Sequence, residues 1–483
     1  MIPMSTCARR APALWVVVFL CTGLALGVIF QHPFMAGPGA AATAFWALAA
    51  LAFIALHNKN FALLSRLILI LYCVTLIASL PLLAGGEAVF WRKPLSRLLS
   101  ADPDVVRAMM LIAAIGLCGL TIGMIAGNSF ISGAKPATGV TLELPPFNMA
   151  VFTAILLVCI GLIAAAAPAQ TILTAQYASE QSPALSASLR FNSAGLIGFT
   201  GLALVYIDAA RTSNDTANLK KILFASASVL ALVYFQILRG DRDGFTFVLA
   251  IAALYIVGPH MAQLNPGHKR AMLIRMSRLF VPLLLLVLFG IILGILRTEL
   301  TTAGIGALTA ERFVPALLYN TPTSVVVTLL GAAAYHANTG VEYLMGQSYL
   351  DLLLSLPPGL VTNVIGVERP FEAGNNPAWW FAGLSSGGIH MVVMPFLNFG
   401  IFGLLPVMAA IGFIFGAIEG AMARGGGVVA RLFYAAAFCA SAKYVWYGDL
   451  PLVRAMMTAG IIAAACHLIV FMRARYPASI SAL

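Results

Sequence analysis

Long apolar windows recur along most of the chain and are separated by shorter polar connections. A membrane-spanning helix needs about 20 mostly apolar residues, and about twelve windows reach or approach that length. A segment in lipid must satisfy its own backbone hydrogen bonds, so we interpret these windows as transmembrane helices. The predicted spans are residues 12–30, 40–57, 61–84, 105–126, 147–168, 193–210, 222–238, 244–258, 279–296, 395–418, 429–447 and 454–472.

The composition favours the same interpretation. Of the 483 residues, 61% are hydrophobic and 9% are charged, whereas a soluble domain is about half apolar and a quarter charged. A net charge of +11 could indicate nucleic acid, but Lys and Arg in a membrane protein mostly report orientation. We therefore predict an all-α polytopic membrane protein that contacts the lipid bilayer and no nucleic acid.

The basic connections predict the orientation. If Arg9 and Arg10 lie in the cytoplasm, alternation over the predicted spans places the basic segments 210–221, 268–278 and 473–475 on the same side, as the positive-inside rule requires. Both termini are then cytoplasmic. The N-terminal apolar run is long and lacks a clear cleavage site, so we interpret it as an uncleaved first helix and not as a signal peptide.

A stretch of about 90 residues, 297–390, contains no window long enough to span. Its apolar patch, residues 324–334, is too short to cross comfortably, and residues 349–360 predict a short amphipathic helix stopped by two prolines. Long segments of this kind are more often functional loops than linkers. We predict three regions: the first nine spans in residues 1–296, a large external loop in 297–390, and the last three spans in 391–483.

The cysteines and acidic residues indicate neither a disulfide framework nor a metal site. Seven cysteines occur without any CxxC or paired spacing. The one D-x-D sequence, from Asp102 to Asp104, has a spacing that can hold a divalent metal, but Pro103 between the two acids suits a helix start capped by Asp102. We prefer the cap, and we expect no metal and no cofactor.

Arginines are retained on the predicted external side against the positive-inside bias. An anionic partner on that side is the simplest explanation for them. Those considered for a site are Arg190, Arg239, Arg242, Arg297 and Arg369.

Three stretches, in this order, resemble the O-antigen polymerases of the oligosaccharide repeat unit polymerase family. "LRGDRDGFTFVLAIAAL" (238–254) is similar to the family's G-x-R opening of a span. "MGQSYLDLLLSLPPGL" (345–360) is similar to its loop helix ending in proline, and "GGIHMVVMPFLNFGIFG" (387–403) contains an NFG-x-x-G pattern at a re-entry into the membrane. Many members carry an acidic residue shortly before NFG, where this chain has Met394 and Pro395.

The resemblance covers roughly residues 190–420. It implies a GT-C-like glycosyltransferase of the bacterial inner membrane whose active site faces the periplasm. It also implies an undecaprenyl-pyrophosphate-linked oligosaccharide as substrate, and the polymerases of such pathways can work with a polysaccharide chain-length regulator. The large loop would then be periplasmic, and the transfer would need no metal.

The resemblance and the residue chemistry together select candidate site residues. His390 could accept a proton from an acceptor hydroxyl, and Arg242, on which the G-x-R match falls, could grip a pyrophosphate as leaving group. We expect substrate contacts from Arg239, Arg297, Arg190, Arg369, Asn398 and Tyr349. Each has a structural alternative: Asp241 or Asp243 could pair with the neighbouring arginines, and Asn398 could bond a neighbouring backbone.

Two other functions remain open at this point. An O-antigen ligase, which transfers the glycan to lipid A core, also combines about a dozen helices with external Arg and His. A transporter or flippase would keep ionisable groups near the bilayer midplane, whereas Arg66, Asp208 and Lys443 fall near predicted span ends and only His467 falls well inside a span. The NFG pattern favours the polymerase.

Overall fold

The described part of the chain is helical. A computed structural model describes residues 45, 47–52, 63–84, 103–133, 205–206, 321–339, 343–354, 389–424 and 427–475, and these contain no strand beyond one isolated bridge between Ile389 and Tyr447. The helices named here are α1 (Leu63–Ala84), α2 (Pro103–Gly133), α3 (Thr321–Thr339), α4 (Gln347–Leu354), α5 (Val393–Ala423), α6 (Val428–Tyr447) and α7 (Asp449–Arg475).

Four of these helices are long and apolar enough to cross a membrane. The qualifying segments are Asp104–Ile131, Val393–Met422, Val428–Tyr447 and Asp449–Ile469, and they match the spans predicted at 105–126, 395–418, 429–447 and 454–472. The helical class is thus confirmed in this part of the chain, and four of the predicted spans coincide with candidate transmembrane helices. The predicted span 61–84 coincides with α1, whose apolar segment Leu64–Cys73 is too short to qualify. The number of spans and the GT-C-like architecture stay predictions, because the other predicted spans lie wholly or largely outside the described residues.

Helices α2 and α5 pack with their backbones in contact along a shared seam of glycines. Each carries a glycine at every fourth position on the face towards the other. A Cβ atom on Gly123 would overlap the carbonyl oxygen of Ala409, and one on Gly416 would overlap that of Met124. Small residues at this spacing let transmembrane helices approach closely. The seam comprises Gly119, Gly123 and Gly127 of α2 with Gly412, Gly416 and Gly420 of α5.

The register of this seam shows that α2 and α5 run in the same direction. Gly119 lies against Leu405, Gly123 against Ala409 and Gly127 against Phe413, so residue numbers rise together. Parallel spans require an odd number of membrane crossings between them. The five spans predicted between residues 133 and 393 meet that condition, and a sixth full crossing in this interval would violate it.

Helix α3 lies inside the stretch predicted as a large loop, yet it packs into the bundle. It is 19 residues long, longer than the apolar patch at 324–334, because flanking polar residues continue the helix. Every residue from Val325 to Ala334 is buried, and this segment forms part of one hydrophobic core with α1, α2 and α5. The middle of the predicted loop is therefore a core helix, while the limits of the loop at 297 and 390 stay predictions.

Candidate functional site

The NFG sequence forms a break in α5. Gly400 has φ of 63° and ψ of −165°, so the helix is interrupted between Asn398 and Ile401. Only glycine adopts such a φ without strain, and a side chain at this position would also overlap the ring of Tyr343. The break frees carbonyl groups that a continuous helix would have used, and buried carbonyls need other partners.

The segment before α4 supplies those partners. The backbone N–H of Leu344 donates to the carbonyl of Leu397 at 3.0 Å, and that of Met345 donates to the carbonyl of Asn398 at 2.9 Å. The break therefore exposes carbonyl groups of α5 that accept hydrogen bonds from Leu344 and Met345, and the short helix α4 begins two residues later. The short helix predicted from residue 349 is confirmed as Gln347–Leu354 over the residues that the structure describes.

Asn398 fastens the same segment through its side chain. Its Oδ1 accepts the N–H of Gly346 at 3.0 Å, and its Nδ2 donates to the carbonyl of Met394 at 2.8 Å and to the hydroxyl of Ser348. Because Asn398 is fully buried and its contacts are all with protein, the structural alternative named above describes them. A substrate contact by Asn398 stays a prediction.

Tyr349 lies on α4, directly above the break. Its ring stacks on Phe399 with centroids 6.1 Å apart, and its hydroxyl is buried without a hydrogen-bond partner among the described residues. Burial, and then the nearby carboxylate of Asp449, raise the pKa of Tyr349. The residue therefore remains a phenol that can donate a hydrogen bond.

The residues before α5 join the C-terminal end of α6. The N–H of Ile389 donates to the carbonyl of Trp446 at 3.0 Å, and the N–H of Met391 donates to that of Val445 at 3.2 Å. Helix α6 then ends at Gly448, whose φ is 75°, and α7 starts at the next residue, Asp449. This arrangement brings the segment that contains His390 beside the turn that leads into Asp449, inside the bundle.

His390 lies among α1, α3 and the C-terminal end of α6. Its N–H donates to Thr328 Oγ1 of α3 at 3.1 Å, and its ring meets Tyr72 of α1 edge-on at 5.1 Å between centroids. The residue is fully buried, and burial lowers the pKa of the imidazole to about 3. The side chain is therefore neutral at any pH near neutrality.

The hydrogen bonding of His390 indicates its tautomer. Nδ1 accepts the N–H of Val392 at 3.4 Å, so the ring proton belongs on Nε2. Nε2 is buried and has no partner among the described residues. In this arrangement the free nitrogen of His390 is a donor, and the role of His390 as a base stays a prediction that requires the opposite tautomer.

Asp449 was missed in the sequence, and it is a buried carboxylate beside Tyr349. It is 5% exposed and interacts electrostatically with Tyr349 and Tyr444, yet neither hydroxyl nor Asp449 Oδ2 has a partner in hydrogen-bonding geometry. We call the group formed by Tyr72, Tyr349, His390, Tyr444 and Asp449 the Asp449 centre. A signal existed, since Asp449 is the only acidic residue after Glu419, but it lay just before a predicted span.

Asp449 lies near the position before NFG at which this chain lacks the acidic residue that many O-antigen polymerases carry. Gly448, its neighbour, lies against Met394, with a built Cβ 3.9 Å from the sulfur. The position where Met394 replaces an acid in the NFG stretch therefore adjoins the turn that leads into Asp449. A carboxylate from α7 stands near that place in space although none stands there in the sequence.

A second buried carboxylate, Glu419, lies at the opposite end of α5. Its Oε1 accepts the N–H of Ser65 at 3.2 Å, and its Oε2 is hydrogen-bonded to the Ser65 hydroxyl. Arg66 interacts with it electrostatically. Glu419 therefore satisfies donors at the N-terminus of α1, a role that a helix terminus favours for an acid. We call Glu419, Ser65 and Arg66 the Glu419 centre.

The other predicted site residues divide by location. Arg190, Arg239, Arg242, Arg297 and Arg369 lie outside the described residues, so their roles stay predictions. Asp104 is exposed in the first turn of α2 and pairs with Arg107 at 2.9 Å, and α2 begins at Pro103, where the sequence predicted a helix start. Asp102 lies outside the described residues.

Comparison of the chain with protein-family models, with curated proteins and with solved structures finds no match in any of the three. The functional inference therefore depends on the residues and on their arrangement.

Proposed function

We propose that this chain is a membrane glycosyltransferase of the O-antigen polymerase type. It transfers a growing undecaprenyl-pyrophosphate-linked glycan onto a hydroxyl of an incoming lipid-linked repeat unit at the periplasmic face of the bacterial inner membrane. Undecaprenyl pyrophosphate is the leaving group. In this proposal Arg242 holds the pyrophosphate, and the residues around His390 hold the acceptor.

One observation carries the proposal: two of the three stretches that resemble the polymerases are built into one unit. The residues of "MGQSYLDLLL" dock on the break made by "NFG", through Asn398 and two backbone hydrogen bonds. Near this unit lie buried groups whose hydrogen-bonding atoms have no partners among the described residues. A polymerase needs such a place because it has to orient one hydroxyl of a sugar against an anomeric carbon.

One ionisable group that the sequence places inside a span gives no support for a transporter. His467, which the sequence places well inside a span, is exposed on α7 among apolar side chains such as Leu468 and Phe471, and it does not face the interior of the bundle. The ligase shares the chemistry proposed here and differs in the acceptor. It is therefore an outcome of the test below.

The test is reconstitution of the full-length protein in lipid vesicles with a defined undecaprenyl-pyrophosphate-linked repeat unit. A polymerase converts this single substrate to lipid-linked oligomers and releases undecaprenyl pyrophosphate, both measurable by chromatography and mass spectrometry. A ligase gives product only when lipid A core is added. Movement of the intact lipid across the vesicle membrane without new glycosidic bonds would replace the proposal with a flippase.

A further inference from the structure

The Asp449 centre gathers buried polar atoms that have no partner in full hydrogen-bond geometry within the described part of the chain, although the Tyr349 hydroxyl lies close enough to Asp449 to interact with it as a donor. They are Oδ2 of Asp449 in α7, the hydroxyls of Tyr349 in α4 and Tyr444 in α6, and Nε2 of His390 before α5. Among the described residues one further atom of this kind occurs, Nε of Arg66 in the Glu419 centre. Buried polar atoms without partners are rare in folded proteins, so their convergence from four elements indicates a place that receives a polar group.

The chemistry of the centre suits a hydroxyl. Oδ2 of Asp449 is an acceptor, and the two phenols and the Nε2–H of His390 are donors. A hydroxyl group is at once donor and acceptor, so it can satisfy atoms of both kinds. No charged side chain of the described residues pairs with Asp449; the groups that interact with it are Tyr349 and Tyr444, with Tyr72 acting on Tyr444.

We propose that Asp449 is the general base of the glycosyl transfer, an inference that rests on the proposed function. The acceptor sugar places its O–H against Oδ2. As the acceptor oxygen bonds to the anomeric carbon of the donor glycan, its proton passes to Oδ2, and the bond between that carbon and the pyrophosphate oxygen breaks with its electron pair on the pyrophosphate. The proton leaves Asp449 before the next transfer.

His390 complements this role as a donor. With Nδ1 already accepting from Val392, the proton on Nε2 can bind an oxygen of the acceptor sugar, while Asp449 takes the reacting proton. Tyr349 and Tyr444 lie beside Asp449 and act as positioning residues, whose hydroxyls can donate to the carboxylate or to the bound sugar.

The experiment compares wild-type protein with Asp449→Asn in the vesicle assay, under single-turnover and steady-state conditions. Asparagine keeps the size of the side chain but cannot take up a proton, so the rate of glycosidic bond formation should fall by about 10²–10⁴-fold, the usual contribution of a general base. Binding of the lipid-linked repeat, measured by KM or by direct retention, should change much less. Asp449→Glu should recover part of the rate.

Glu419→Gln provides the matched control, since it neutralises the other buried carboxylate at the far end of α5. It should lower thermal stability and leave the turnover of the folded fraction near that of the wild type. Tyr349→Phe should reduce turnover by about tenfold without loss of stability.

The outcomes separate this inference from the proposed function. Wild-type protein that forms no glycosidic bond overturns both. Active wild-type protein together with Asp449→Asn of equal turnover and equal stability overturns only the role of Asp449 and returns the base to His390. If Asp449→Asn loses its fold, the decision passes to Tyr349→Phe and Tyr444→Phe: normal turnover in both contradicts the proposal, and reduced turnover in stable protein supports it.

Discussion

One buried carboxylate, Glu419, belongs to the C-terminal part of α5, and a second, Asp449, begins α7 beside the turn that adjoins the start of α5; the two differ in how they are satisfied. Both oxygens of Glu419 are hydrogen-bonded to Ser65 of α1. By contrast, Oδ2 of Asp449 and three neighbouring polar atoms have no partners among the described residues. Burial alone therefore does not distinguish a structural acid from a functional one. The distinction lies in whether neighbouring donors already occupy the acid.

The contrast follows from what each acid faces. Glu419 faces the first turn of α1, whose N–H groups need an acceptor because the helix provides none. Asp449 begins α7, but the groups that interact with it are the side chains of Tyr349 and Tyr444, which lie on other helices. A polar group in the interior that is left unsatisfied destabilises the fold, so proteins keep such groups where a substrate will use them.

The glycine seam packs α2 against α5, and its disruption should have the largest effect on stability. Gly123→Leu would force a branched side chain into the backbone of α5, which should destabilise the protein by more than about 3 kcal/mol. We expect little folded protein in detergent by size-exclusion chromatography. Gly427→Ala is the control, since a Cβ there meets nothing within 4 Å; normal folding of Gly123→Leu would show that the seam is not closely packed.

The next largest effect is expected at the Glu419 centre. Glu419→Leu removes both acceptors and leaves the N–H and hydroxyl of Ser65 buried without a partner, which should cost about 2 kcal/mol of unfolding free energy. Glu419→Gln keeps one acceptor and should cost about half as much. Thermal unfolding of the purified variants measures both. Equal stability of Glu419→Leu and wild type would remove the structural role assigned to this end.

A smaller effect is expected where α4 docks on the break in α5. Asn398→Ala removes the side-chain acceptor of Gly346 and the donor to Ser348, at a cost of about 1.5 kcal/mol. The loss should be local, so the amides of Leu344 and Met345 should exchange with deuterium faster while the amides of α6 stay protected. Unchanged exchange at these two amides would mean that Asn398 does not hold α4, and its predicted role in substrate binding would gain weight.

Much of the bundle could be predicted from the sequence, because lipid makes long apolar windows into helices. The spans predicted at 395–418 and 429–447 lie within α5 and α6. Helix α3 was not recognised because its apolar core is short and protein, not lipid, surrounds it. The glycine seam had a visible signal, Gly119-xxx-Gly123-xxx-Gly127, whose partner repeat lies almost 300 residues away on α5 and could be matched only in three dimensions.

The candidate site was harder to predict. His390 and Tyr349 were selected for their chemistry and do lie within the described bundle, but Asp449 was overlooked because a lone acid at a helix start looks like a cap. Its proximity to Tyr349 depends on two turns, at Gly400 and at Gly448. Contacts between segments about 100 residues apart leave no local pattern in a single sequence.

The central claim is that the carboxylate of the Glu419 centre is satisfied and that Oδ2 of Asp449 in the Asp449 centre is not. The most direct test deletes one buried hydroxyl from each and measures thermal unfolding side by side. Ser65→Ala should lower the unfolding free energy by about 1 kcal/mol, because a made hydrogen bond is lost. Tyr444→Phe should leave it unchanged or raise it, because the hydroxyl of Tyr444 has no partner among the described residues. If Tyr444→Phe destabilises the protein as much as Ser65→Ala does, the two centres are alike and the claim is wrong.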